Sequence, residues 1–100
     1  MTTAPAADKA AAIARTLVEE GLVACVNIVP GIRSIYRWQG EICDDTEVLC
    51  LMKTRRDRAE PARERLVALH PYQLPEVIVL EITAGHAPYL AWIDEATKTP

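Results

Sequence analysis

The sequence predicts an α+β sandwich, a layer of helices packed on a sheet built around one long hairpin. Three observations predict it. Residues 6–20 carry apolar side chains at helical spacing and stop at Gly21. Two long strand-like runs follow, joined only by Gln39-Gly40. A second helical pattern runs from Asp57 to near Leu69 and precedes a short apolar run, Val77–Ile82.

In the first helix Ala10, Ile13, Ala14 and Leu17 follow the i, i+3, i+4, i+7 spacing that shares one face. Pro5 suits its start, and Gly21 suits a left-handed end. Leu22–Val29, rich in β-branched residues, reads as a buried strand; Pro30-Gly31 breaks or bulges it, and the strand resumes over Ile32–Trp38. Gln39-Gly40 has the length of a tight hairpin turn into Glu41–Thr54, a second long strand with a polar dip at Asp44-Asp45-Thr46. Asp57 and Glu60 have the spacing of a capping box at the next helix, with Pro61 in or near its first turn. Ala59, Ala62, Leu66 and Leu69 mark that helix's buried face. Val77–Ile82 is apolar at nearly every position, which predicts a strand covered on both faces. A last short helix begins near Pro88 and carries Tyr89, Trp92, Ile93 and Ala96 on one side. The hairpin arms are long for the domain, and an uncovered edge leaves backbone groups unpaired; a second subunit is the economical cover.

One hundred residues make one domain, residues 1–100, and half of them are hydrophobic. The net charge of −3 offers no basic footprint, so nucleic acid is excluded as an expected partner. Lys53–Arg58 is basic but interrupted by Asp57, and reads as a solvated surface. No apolar stretch reaches the ~18 residues of a membrane span. Met1–Pro5 lacks the basic and apolar parts of a signal peptide, so the expected location is cytoplasmic. Three cysteines without CxxC spacing argue against a disulfide framework. Cys25 and Cys50 read as buried thiols in apolar runs, and Cys43 as a more exposed one.

The chemistry concentrates in two stretches. His70-Pro71-Tyr72-Gln73-Leu74-Pro75-Glu76 places an imidazole, a phenol and a carboxylate on a backbone held by two prolines. His70 has three readings: metal ligand, general base, or cap at the end of a helix. With Glu76 it makes a pair of hard or borderline ligands, and two ligands do not make a tight site. Tyr36 and Trp38, two residues apart, lie on one strand face; they read as a ligand-stacking pair or as interface packing, and their periodicity favours packing. Asp44, Asp45 and Glu47 read as a cation patch or, preferably, as a polar bend in the hairpin. His86 precedes the last helix and reads as its cap. No nucleophile–base arrangement, phosphate loop, HExxH or GxSxG occurs, so no enzyme activity is expected.

Ala24–Gly31, Ser34–Glu41, Lys53-Thr54 and His70–Glu76, followed by Tyr89–Ile93, resemble in order and spacing the signature stretches of the CutA divalent-cation tolerance family. The resemblance runs from about Thr2 to Ala96. It implies a ferredoxin-like βαββαβ subunit with a C-terminal helix and a compact PII-like homotrimer. It also implies a non-enzymatic binding or regulatory role in tolerance of divalent metals, copper above all. The family's recurrent residues correspond to Tyr36, Trp38, Lys53, His70, Tyr72 and Glu76, around a cleft between subunits. Two departures stand out. The family's first strand is longer, so Thr2-Thr3-Ala4-Pro5 represents only its last residues. Some members carry a thiol where Thr2 stands and an extra His where Leu69 stands; without them, weak rather than strong copper or zinc binding is expected. The alternatives are a PII-like sensor of a small anionic metabolite, using Lys53 and nearby arginines, and a ligand-free structural trimer.

Overall fold

The computed structural model describes residues 1–98. Six elements appear in order: β1 (Thr2–Ala4), α1 (Ala7–Glu19), β2 (Cys25–Trp38), β3 (Glu41–Lys53), α2 (Arg56–Leu69) and α3 (Ala87–Ala96). The helical periodicity of α1 is realised: Ala10, Ile13, Ala14 and Leu17 are its buried residues. Gly21, at φ +70°, closes it. Gly21 N–H donates to Val18 O and Leu22 N–H to Leu17 O, both at 3.0 Å. This is the paired-bond ending that a left-handed glycine permits.

Strands β2 and β3 form the long hairpin, paired from Cys25 opposite Lys53 to Trp38 opposite Glu41. Their turn places Gln39 at φ 49° and Gly40 at φ 81°, the left-handed pair whose twist matches the strands. The register shifts between Val29 and Ile32, where Pro30 lacks a donor and Gly31 takes φ +75°. Strand β1 pairs antiparallel with β3, Thr2 opposite Cys50, giving the sheet order β1-β3-β2. On β1's other side a single bridge joins Thr2 to Val77, and Met1 and Ile78 exchange backbone bonds of 2.6 and 3.0 Å. This is the ferredoxin-like arrangement, with the fourth strand reduced to its first contacts.

Both long helices cover one sheet face. Ile13 and Leu17 of α1 meet Ala62 and Leu66 of α2 around Val23, with Val26, Met52 and Val77 packed against them. A second cluster joins Ala4, Ala10, Val48 and Cys50. Of α3 only Ile93 is buried, while Tyr89 and Trp92 stack on each other at 5.6 Å and stay largely exposed.

Three expectations need correction. Val77–Ile82 forms no strand covered on both faces: Val79, Leu80 and Ile82 are 60%, 69% and 54% exposed. β1 pairs with this run only at its start, through the Thr2–Val77 bridge and the two bonds between Met1 and Ile78. The capping box at Asp57 does not form either. Arg55 holds the N-cap position without a side-chain cap, and Asp57 instead accepts a bond from the Arg55 guanidinium at 2.9 Å. Pro61 lies inside α2, on its exposed side, where the helical bond it forfeits is open to water. Lastly, Cys25 is only half-buried, since it opens β2 on the face away from the helices.

Leu17 is fully buried at the junction of both helices and the sheet. Leu17→Ala is expected to lower unfolding free energy by about 2–5 kcal/mol in urea denaturation. A loss below about 1 kcal/mol would show that the α1–α2 junction is not the core.

Candidate functional site

Strand alternation decides which side chains are available. Val48 and Cys50 of β3 face the helices, so Cys43, Asp45, Glu47, Leu49, Leu51 and Lys53 face the other way. Cross-strand pairing adds Ser34, Tyr36 and Trp38 of β2 to this open face, opposite Asp45, Cys43 and Glu41. Tyr36 O–H donates to Asp45 Oδ2 at 2.5 Å. Tyr72, arriving from the segment after α2, donates its O–H to Glu47 Oε2, also at 2.5 Å. Glu47 is buried, at 7% exposure.

Both phenols are held protonated. The Asp45 hydrogen bond, with some desolvation, pushes Tyr36 up to about 12. Burial and then the bond to Glu47 push Tyr72 well above the usual phenol range. The charges of Asp45 and Tyr36 also reach Tyr72, so the two phenol–carboxylate pairs form one cluster. Phenols so placed donate hydrogen bonds and do not act as bases near neutral pH.

His70 sits at the end of α2, at 8% exposure. Tyr72 N–H donates to its Nδ1 at 3.1 Å, which leaves the ring proton on Nε2 to donate to Thr3 O at 2.7 Å. The imidazole thus ties the end of α2 to β1, and it lies 4.9 Å from the Tyr72 ring. Both ring nitrogens are engaged in this state. Glu76 is exposed, and its charge acts on the Met1 ammonium, opposing a larger desolvation that lowers the ammonium's pKa. No hydrogen bond or ion pair joins His70 to Glu76, and no group of three metal-ligating side chains occurs among the described residues.

Trp38 and Lys53 occupy opposite ends of the hairpin. Trp38 lies opposite Glu41, and Lys53 lies at the far end of the same strand, opposite Cys25. At about 3.3 Å per residue they are separated by roughly 40 Å. The structure therefore brings Tyr36, Tyr72 and His70 into one region, and does not bring Lys53 to it.

The residues underrated from sequence are Asp45 and Glu47. β3 runs unbent through them, so the polar-bend reading is corrected: Asp45 and Glu47 accept phenol bonds, and Asp44 accepts two bonds from Arg33 at 2.8 and 2.6 Å on the other face. Their spacing of two, matched to Tyr36 across the turn, was the available signal. The basic run carries surface ion pairs: Arg55 pairs with Asp57 and the exposed Arg56 with Glu81, while Arg58 donates to Thr97 O. His86 holds the N-cap position of α3 without a side-chain bond. Cys50 is buried, which pushes its thiol up.

Comparison with known proteins now decides the family. The model of the CutA1 divalent ion tolerance protein matches residues 1–96. The chain belongs to this family. A relative from Thermus thermophilus, the divalent-cation tolerance protein CutA, is 50% identical over 97 residues, which are 97% of this chain and 94% of that protein. Its solved structure superposes with a TM-score of 0.92 over the same shares of the two chains. A PII-like protein CutA from Nostoc, solved in apo form, is 40% identical with a TM-score of 0.89, covering 97% of this chain and 93% of its own. Protein CutA, chloroplastic, of Arabidopsis thaliana is 45% identical over 96% of this chain, which spans 53% of that relative's length.

Two outcomes test the cluster. A phenol whose folded pKa is raised stabilises the fold below its unfolded value, near 10, and loses that contribution as pH rises through the folded value. Tyr36 is therefore expected to ionise near 12 in a spectrophotometric titration, and Tyr36→Phe to remove that step. Ionisation near 10 would show that the Asp45 bond is absent in solution. Tyr72→Phe leaves Glu47 without its donor and is expected to lower stability by about 1–3 kcal/mol in denaturant titration. An unchanged midpoint would remove Tyr72 from the buried pair.

Proposed function

We propose that this protein acts as a homotrimeric, non-enzymatic binding or regulatory protein that captures divalent cations or small ligands weakly at clefts between its copies. The observation that carries the reading is the separation within one chain: Trp38 and Lys53 lie roughly 40 Å apart, so a cleft that includes both requires more than one copy. Exposed apolar side chains support association. Ile35 and Ile42 near the hairpin tip are 66% and 63% exposed, and Tyr36 and Trp38 flank them on the opposite face. Single chains rarely leave such a surface bare.

Within such a cleft Glu76 is the accessible carboxylate, and Tyr36, Trp38, Lys53 and Tyr72 supply walls and polar donors. His70 contributes to a metal only after giving up the bond from Tyr72 N–H or the one to Thr3 O. A site of this kind holds copper or zinc weakly, because one carboxylate and a committed imidazole fall short of the four ligands of a tight site. Three free thiols suit a reducing compartment, in keeping with a cytoplasmic location. The reading as a sensor of an anionic metabolite draws less support. Its arginines Arg55 and Arg56 already have acidic partners, and the two-residue hairpin turn offers no long loop to a partner protein.

Isothermal titration with copper and with zinc tests the site. Wild type is expected to bind weakly, and Glu76→Ala to weaken binding at least severalfold with unchanged stability. Identical isotherms for the two proteins would exclude Glu76 as a ligand.

A further inference from the structure

The corner after α2 turns the chain back onto its own imidazole. Pro71 disfavours the helical conformation at the residue before it, and His70 accordingly leaves α2 at φ −73° and ψ 137°. Two residues on, Tyr72 N–H reaches His70 Nδ1 at 3.1 Å. The two ring nitrogens then differ in what a cation costs them. An imidazole binds a metal through its unprotonated nitrogen, and its other N–H is ordinarily held by a carbonyl or carboxylate. In His70 that outer bond is already made, from Nε2 to the carbonyl of the buried Thr3. Nδ1 is therefore the coordinating nitrogen, and the group bonded over it is Tyr72 N–H.

Tyr72 is in turn held from the sheet. Its O–H donates to Glu47 Oε2 at 2.5 Å, and its ring lies 4.9 Å from the imidazole, tilted by 45°. Glu47 is a fixed point, buried in β3 and paired with Ile32 of β2. Prolines at 71 and 75 stiffen the backbone on either side. While the phenol stays on Glu47, the amide of the same residue stays over Nδ1. Moving that amide aside means breaking two bonds together, one at each end of Tyr72.

We propose that the Tyr72–Glu47 hydrogen bond is a latch that keeps Nδ1 of His70 covered, so that a divalent cation reaches this imidazole only when Tyr72 swings off the sheet. The inference rests on the cation-binding reading above and adds the regulation of that site. Weak binding then reflects the closed latch as well as the short ligand set. The apparent affinity is the intrinsic one reduced by the fraction of molecules whose latch is open. The coupling is reciprocal: a cation on Nδ1 lifts Tyr72 from Glu47 as surely as the Glu47 bond opposes the cation.

Zinc is the probe, because it is redox-silent beside three thiols. It is titrated into the full 100-residue chain while the two ring nitrogens of His70 are followed by proton–nitrogen correlation NMR, so zinc held by thiols elsewhere does not enter the affinity. Zinc is expected to move the Nδ1 signal, to leave Nε2 protonated, and to speed hydrogen exchange of the Tyr72 amide. Tyr72→Phe keeps the ring and the amide but removes the latch. It is expected to bind zinc about tenfold more tightly than wild type, the effect of one charge-assisted bond on the open fraction. Glu47→Gln keeps an acceptor without its charge; it is expected to fall between the two, and it carries the same test if Tyr72→Phe does not fold. Equal or weaker binding by both variants, a response at Nε2 in place of Nδ1, or zinc bound with no response at His70 would each overturn the latch and leave the cation reading standing. No zinc bound by wild type or either variant at millimolar zinc would instead overturn the cation reading, and the latch with it.

Discussion

The fold hangs on the placement of β1 in the centre of its sheet. Thr2, Thr3 and Ala4 are all buried, held by β3 on one side and by the Val77 bridge on the other. A central strand of three residues has few ladder bonds of its own, and His70 adds one by donating from Nε2 to Thr3 O. That bond links the beginning of the chain to the end of α2. It also orients Tyr72, whose N–H returns to His70 Nδ1 and whose O–H reaches Glu47. Sheet, helix layer and phenol–carboxylate cluster thus share one anchor.

From this anchor the two faces of the sheet take different roles. The helix-covered face is apolar and closed, with Leu17, Val23 and Cys50 at 2% exposure or less. The open face carries the polar chemistry, and its carboxylates are satisfied by phenols rather than by cationic side chains. Tyr36 and Tyr72 donate to Asp45 and Glu47, and as protonated phenols they add no charge to this face.

Local features were legible in the sequence because local physics sets them. The helical period of Ala10–Leu17, the glycine at position 21, the bulge at Pro30-Gly31 and the turn at Gln39-Gly40 are each governed by a few neighbouring residues, and each stands as expected. The start of α2 was misjudged because Asp57 had a competitor for its carboxylate two residues away in Arg55. The extent of the Val77–Ile82 strand depended on a partner strand rather than on its own composition. The commitments of His70 were hidden because its partner Thr3 lies 67 positions away. The pairs Tyr36–Asp45 and Tyr72–Glu47 required the cross-strand register, which only the turn and the bulge together define.

The account rests on incompleteness. One chain leaves apolar surface bare at the hairpin tip and spreads its family-pattern residues over the length of the molecule, whose longest extent is 44 Å. Association of copies resolves both. Sedimentation equilibrium at micromolar concentration tests this most directly: the account predicts a single species near three times the 11.1 kDa chain mass. A folded species at the mass of one chain, stable on dilution, would contradict it.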